Sequence, residues 1–313
     1  MAIPTRKRIF ITGGAGFVGS AVIDELLAGD FEIMALVNRD ELKVQSPRLN
    51  YVRGGLFDDR ALDTGLAGCD AAIHLVGIIA EKPRAGITFT RMHLEATGKM
   101  IAAAKRAGVK RFIHMSALGA RADAVSNYHK TKFKAEQALR ESGLDWTIFR
   151  PSLIHGPGGE FLTMEAAWAR GRKPPFVFMP YFGGGLLGRR RPALVQPVYV
   201  KDVARAFVRA IDRPQTIRQT YCIGGADQLS WPQMHHVASE IFAGKRKAAL
   251  GVPGWYAALL TYIVPGKLLP FTRDQVIMGQ EDSVCDMSQF TNDLGWTPGG
   301  FGQTLREYAA EVK

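Results

Sequence analysis

Tyr128 and Lys132 lie four residues apart, a separation that puts both side chains on one face of an α-helix. A phenol with its ordinary pKa near 10 is a poor acid–base group at neutral pH, and an ammonium beside it favours the phenolate. The pair therefore reads as an acid–base tyrosine with a supporting lysine, although a tyrosine on a solvated helix face would show the same spacing. Among the eight tyrosines, Tyr128 alone has lysine at that offset. A second spacing suits phosphate. Gly13, Gly16 and Gly19 follow the apolar run Ile9–Ile11 and lead at once into the helical pattern FVGSAVIDELLAG. A pair of linked phosphates needs a turn without Cβ atoms and the unpaired N–H groups of a helix start. Gly13 would make the turn, Gly16 the close approach, Phe17 and Val18 the first turn of the helix, and Gly19 the contact of helix with strand. A ligand-free glycine turn between a buried strand and a helix is the alternative.

These groups need elements to hold them, and the chain supplies an alternation of strand and helix. Strands are expected at 9–11, Phe31–Val37, Asn50–Val52, Ala71–Val76, Arg111–Met115 and Asp145–Phe149. Helices are expected at Phe17–Leu27, 59–66, 89–107 and 127–141, the last carrying Tyr128 and Lys132. This is the α/β pattern of a doubly wound (Rossmann) parallel sheet, with its ligand at the carboxyl ends of the strands. After Pro151 the rhythm breaks into glycine- and proline-rich loops around a helix near Leu162–Arg170. It returns with a strand at Val195–Val200, a helix from Asp202 and a last strand at Tyr221–Ile223. The reading predicts an NAD(P)-binding domain over 1–155 and 194–224. A smaller, discontinuous substrate domain takes 156–193 and 225–313.

The end of the second strand decides the cofactor. A carboxylate about 20 residues beyond the glycine turn would accept the ribose 2′-hydroxyl of NAD, whereas an arginine would pair with the 2′-phosphate of NADP. Asn38 stands at that place and Arg39 follows, which favours NADP(H); Asp40 could supply the carboxylate for NAD(H).

Composition narrows the class. The chain has 313 residues, is 47% hydrophobic and carries a net charge of +11. Cys69, Cys222 and Cys285 form no CxxC pair and no zinc-like spacing with histidine, so neither a disulfide framework nor a metal is expected. No signal-peptide core follows Met1–Arg8, and the expected location is cytoplasmic. No nucleic-acid motif accompanies the charge.

The Gly-x-x-Gly-x-x-Gly turn with Thr12 before it, and the Tyr-x-x-x-Lys one element past the fifth strand, resemble the extended branch of the short-chain dehydrogenase/reductase superfamily. HLVGI at 74–78, FRPSLIHGPGGEF at 149–161, QPVYVKDVARA at 196–206, TRDQV at 272–276 and LGWTP at 294–298 are similar to its atypical group. That group includes the NADPH-binding accessory subunit of respiratory complex I and bacterial epimerase/dehydratase-like relatives. The resemblance implies hydride transfer to or from a carbonyl or alcohol, with Tyr128 as acid–base and Lys132 on the nicotinamide ribose. It places Leu56 on the adenine, Gly77 near the adenosine ribose and Pro151–Leu153 beside the nicotinamide. It also implies a hydroxyl at the end of the fifth strand. Here that end reads Met115-Ser116-Ala117, so Ser116 fills the role only if the local register shifts. An oxidoreductase or epimerase and a non-catalytic NADPH-binding accessory protein both remain open.

Residues 166–201 hold seven basic and no acidic side chains, mixed with Phe176, Phe178, Met179, Tyr181, Phe182, Leu186 and Leu187. An uncharged run follows at Gly251–Gly266, too short to span a bilayer. The mixture suits an apolar or lipid-like substrate with an acidic head, or peripheral attachment to the inner face of a membrane; a buried cap core with a basic rim has the same composition. A homodimer is compatible with it as well.

Overall fold

The computed structural model describes residues 6–38, 41–187, 191–264, 269 and 271–312. Ile9, Phe10 and Ile11 carry no exposed surface because their strand, β1 (Lys7–Thr12), is central and covered on both faces. Ile9 and Ile11 belong to one apolar cluster and Phe10 to the other, as the period-two alternation of a strand requires. From β1 the chain enters α1 (Phe17–Ala28), then β2 (Phe31–Val37), β3 (Leu49–Arg53), α2 (Asp59–Leu66) and β4 (Ala71–His74). A π-helical turn, Thr90–Glu95, leads into α3 (Ala96–Arg106), followed by β5 (Arg111–Met115), α4 (Asn127–Arg140) and β6 (Asp145–Pro151). Then come β7 (Ile154–His155), α5 (Glu160–Ala169), β8 (Phe178–Gly183), β9 (Leu194–Val195), β10 (Val198–Tyr199) and α6 (Val200–Ile211). The remainder is β11 (Gln219–Ile223), β12 (Leu229–Ser230), α7 (Trp231–Ala243), β13 (Ala248–Pro253), α8 (Gly254–Ile263), α9 (Arg273–Met278), α10 (Ser288–Leu294) and α11 (Phe301–Tyr308).

Seven strands make one parallel sheet in the order β11-β6-β5-β4-β1-β2-β3. The chain starts in the middle, winds to one edge and then to the other, so a crevice opens beside β1 and β4 at their carboxyl ends. Helices α1 and α6 cover one face, and α2, α3 and α4 the other.

The strand expected at Val195–Val200 does not join this sheet. Its residues divide between β9, antiparallel to β12, and β10, parallel to β7, because Pro197 between them interrupts the ladder. Beyond it, β13 runs parallel to β8, and the first cluster continues without a break from α1 and α6 into α5, α7 and α11.

Candidate active site

Gly13 has φ +78°, a left-handed conformation that glycine adopts without strain. Its N–H-rich neighbourhood is tightly built. Gly16 donates its N–H to the Gly13 carbonyl (3.0 Å) and precedes α1 with no side-chain cap. A Cβ on Gly19 would lie 2.0 Å from the Gly13 oxygen, so helix and turn touch backbone to backbone. The first-turn amides of α1 therefore face a cradle that side chains would fill, which fits a cofactor pyrophosphate. Phe17 seals the back of this turn against Gly156 and Gly159, and Val18 and Gly19 are buried.

From the cradle the geometry passes to the lysine. A Cβ on Gly13 would meet Val76, and one on Gly77 would lie 2.8 Å from Lys132 Nζ. The ammonium of Lys132 donates to the Met115 carbonyl at the end of β5 (3.0 Å) and is almost wholly buried. Burial holds its pKa down at about 8, partly opposed by Glu136 one turn along. Tyr128 sits one turn before it, half-buried, with its ring edge-on to His93 (5.3 Å) and Phe89 (5.8 Å). The phenol departs from expectation. Burial pushes it up to about 12.

Beneath the pair lies a layer of neutral histidines. His74 and His114 occupy one register position of β4 and β5 and stack at 5.5 Å. His74 Nδ1 is 2.7 Å from the Thr12 hydroxyl, and burial, then the Lys132 charge, holds its pKa down at about 3. His93 Nδ1 lies 2.9 Å from the Thr131 hydroxyl and Nε2 lies 3.1 Å from the Ile78 carbonyl; it too is held neutral, at about 2. Ser116 has a buried hydroxyl with no hydrogen-bond partner among the described residues. Its amide is held by the Phe149 carbonyl, so the ladder to β6 keeps the strand register through Ser116, and Ala117 follows it, also buried.

The first turn of α4 is fixed from far along the chain. Ser126 caps it by accepting from the His129 amide (3.2 Å), and Asp274 Oδ1 accepts from the amides of Asn127 (2.7 Å) and Tyr128 (3.3 Å). The next position, His129, points about 100° around the helix from Tyr128, a direction that by periodicity alone faces solvent. It is buried instead, because Gly119 abuts its ring and Glu281 reaches within 3.5 Å of Nδ1. Arg121 binds the same carboxylate at 3.1 Å.

The remaining expected residues lie at or just beyond the ends of β2, β3 and β6. Asn38 is exposed at the end of β2, and Leu56 packs on the second cluster. Pro151 is buried at the end of β6, and Leu153 packs on the first cluster. Arg39 and Asp40 lie outside the described residues, as do Arg189 and Arg190. No group of three His, Cys, Asp or Glu suited to a metal ion occurs among the described residues.

Comparison with known proteins agrees with this geometry. Residues 13–167 match the NAD(P)H-binding family. The chain is 34% identical over 160 residues to ceramide reductase of Caulobacter vibrioides, covering 50% of each protein. It is 28% identical to mitochondrial NADH dehydrogenase [ubiquinone] 1 alpha subcomplex subunit 9 of Arabidopsis thaliana, over 72% of this chain and 56% of that one. The chain thus spans little more than half the length of these two relatives. The structure of UDP-glucose 4-epimerase from Thermotoga maritima superposes with a TM-score of 0.73 at 21% identity, covering 97% of this chain and 98% of that one, which shows a common fold.

Proposed function

Since residues 13–167 match the NAD(P)H-binding family, we propose that this chain is an NADP(H)-dependent oxidoreductase or epimerase that acts on a carbonyl or alcohol by hydride transfer. One observation carries the reading. The glycine cradle abuts Val76, Gly77 abuts Lys132, and Lys132 bonds the Met115 carbonyl at the end of β5, with Tyr128 one turn before it on α4. Nothing in the packing of the sheet alone demands a buried ammonium there.

When bound, the reduced nicotinamide supplies the hydride that reaches the carbonyl carbon. Tyr128 then gives its phenolic proton to the carbonyl oxygen, and in the reverse direction the phenolate takes it back. Lys132 would hold the nicotinamide ribose, and its ammonium would draw the phenol down from about 12 toward a useful range. His93 holds Ile78 and Thr131 in place and stays uncharged, so it does not compete with that ammonium. Arg39 would pair with the 2′-phosphate. Likeness to ceramide reductase supports an apolar, lipid-like carbonyl substrate.

The buried Ser116 hydroxyl and Ala117 favour a second reading, a non-catalytic NADPH-binding accessory protein, because a substrate carbonyl would find one donor fewer. Likeness to the complex I subunit supports it too. Calorimetry with NADPH and NADH, followed by turnover assays on apolar ketones and aldehydes, separates the two. NADPH binding with turnover lost in Tyr128→Phe supports the enzyme; tight binding with no turnover on any carbonyl supports the accessory role; no binding of either nucleotide refutes both.

A further inference from the structure

Helix α8 is built inside out for a protein in water. Its inward face is Gly254 and Ala257, whereas Trp255, Tyr256, Leu259, Tyr262 and Ile263 project outward, Tyr262 and Ile263 more than two-thirds exposed (69% and 68%). The outward positions follow i, i+1, i+4, i+7, i+8, so they form one stripe along the helix, and the helix has no charged residue at all. A soluble helix shows the opposite arrangement.

The stripe continues beyond the helix. The Trp255 indole N–H donates to the Leu186 carbonyl (2.9 Å), which brings exposed Leu186 and Leu187 alongside. At the amino end of the β8–β13 pair, opposite the end from which α8 leaves, Lys247 donates to the Phe176 carbonyl (2.5 Å) and Phe176 and Val177 are exposed. Of the expected aromatic and aliphatic residues before them, Met179 is buried and Phe182 packs edge-on against Phe271. The composition thus resolves into a small buried part and a larger outward one.

Basic charge is concentrated in the segments that carry this stripe. Segments 166–201 and 241–273 carry twelve of the 40 Lys and Arg residues and none of the 29 acidic ones, which leaves the rest of the chain close to neutral. Exposed Arg172, Lys173 and Lys245 flank the apolar residues, and the Arg273 guanidinium lies over the Tyr262 ring at 5.7 Å. The neighbouring acids are engaged: Glu240 with Arg246, Asp282 with Arg191, and Glu281 with Arg121.

We propose that this face, centred on α8, docks the protein onto the surface of an anionic lipid bilayer. A second copy is a poor occupant, since an isologous contact would set two strongly basic faces against each other. A single small ligand is too small to cover a stripe that runs over a helix and two loops. A bilayer surface takes both components at once, with tyrosine and tryptophan at headgroup depth, leucine and isoleucine below, and basic side chains on lipid phosphates. No described helix is long and apolar enough to cross a membrane, so the attachment lies along the surface.

Sedimentation with sucrose-loaded vesicles, run without nucleotide, tests this independently of the proposed chemistry. The probes are pure phosphatidylcholine and phosphatidylcholine with about 30% phosphatidylglycerol. Binding is expected to the second and not the first, falling roughly tenfold or more between about 0.05 and 0.5 M salt. Tryptophan emission should shift to the blue on binding, and Trp255→Phe should remove that shift. The pair Tyr262→Ser and Ile263→Ser, and separately Lys173→Glu with Lys245→Glu, should each weaken binding about tenfold while NADPH affinity and the thermal midpoint are kept. Absence of binding to anionic vesicles overturns the proposal. So does binding that survives loss of Tyr262 and Ile263, or a dimer in solution that those substitutions dissociate without any vesicle binding.

Discussion

Lys132 is a buried cation whose ordinary pKa of 10.5 falls to about 8, and its titration is open to direct test. Because the folded value lies below the unfolded one, the ammonium destabilises the fold at neutral pH. That penalty is fully present below about pH 8 and is relieved as pH rises toward 10.5. Lys132→Met should therefore be more stable than the parent at pH 7, by about 3 kcal/mol, and urea titrations should show the gap closing across that window. NADPH binding should take up protons near pH 9, since ribose hydroxyls favour the charged lysine, and calorimetry in two buffers measures this. A second expectation concerns Tyr128→Phe, which should abolish turnover and leave NADPH affinity nearly intact, whereas Lys132→Ala lowers both. Arg39→Ala should reduce the preference for NADPH over NADH by about tenfold or more, the worth of a charge-assisted bidentate contact.

Helix α4 presents the tyrosine and lysine, and its position depends on residues distant in sequence. Asp274, at the start of α9, supplies a carboxylate to two otherwise unpaired amides at a helix N-terminus, where the helix dipole also favours negative charge. Asp274→Ala should cost about 1 kcal/mol and speed hydrogen exchange at the Asn127 and Tyr128 amides; unchanged exchange there would show that Ser126 suffices alone. Further along the helix, fully buried Glu136 is held by Arg140 (2.9 Å) and by Arg150 of β6 (2.6 Å), which locks α4 against the sheet. Helix α1 offers a cleaner contrast. Gly19→Ala would push a methyl into the Gly13 carbonyl and should abolish NADPH binding, with a loss of several kcal/mol. Gly98→Ala in α3 meets nothing within 4 Å and should stabilise by up to about 1 kcal/mol.

For the whole molecule, the proposed cofactor crevice lies over strands of one sheet, and Asp274 of α9 bonds the start of α4, so ligand binding bears on global unfolding. NADPH at about 100 times its Kd should add about 2.7 kcal/mol and raise Tm by about 5 °C, read by calorimetry. Gly19→Ala should show no such rise. The same folding that gathers the site also gathers the charge. Two basic segments that are some 40 residues apart in sequence meet through the β8–β13 pairing, which brings part of the net charge of +11 together.

The sequence by itself determined the parallel sheet and where along it the glycine turn and the tyrosine–lysine helix fall. Strand-length apolar runs, glycines at 13, 16 and 19, and a Tyr-x-x-x-Lys helix are local signals whose spacing reflects backbone sterics and helical period. The tertiary structure decided what depends on distant partners. His129 is buried because Glu281 and Gly119 come to it, and a helical angle measured from Tyr128 carries no information about either. The stacking of His74 on His114 follows from the β4–β5 register, which joins residues forty apart, and histidine spacing along the chain does not record it. The capping carboxylate of Asp274 arrives from 146 residues beyond Tyr128. The pKa values of Tyr128 and Lys132 likewise came only with burial. Periodicity tells which side of an element faces inward; desolvation and charge depend on everything that packs against it.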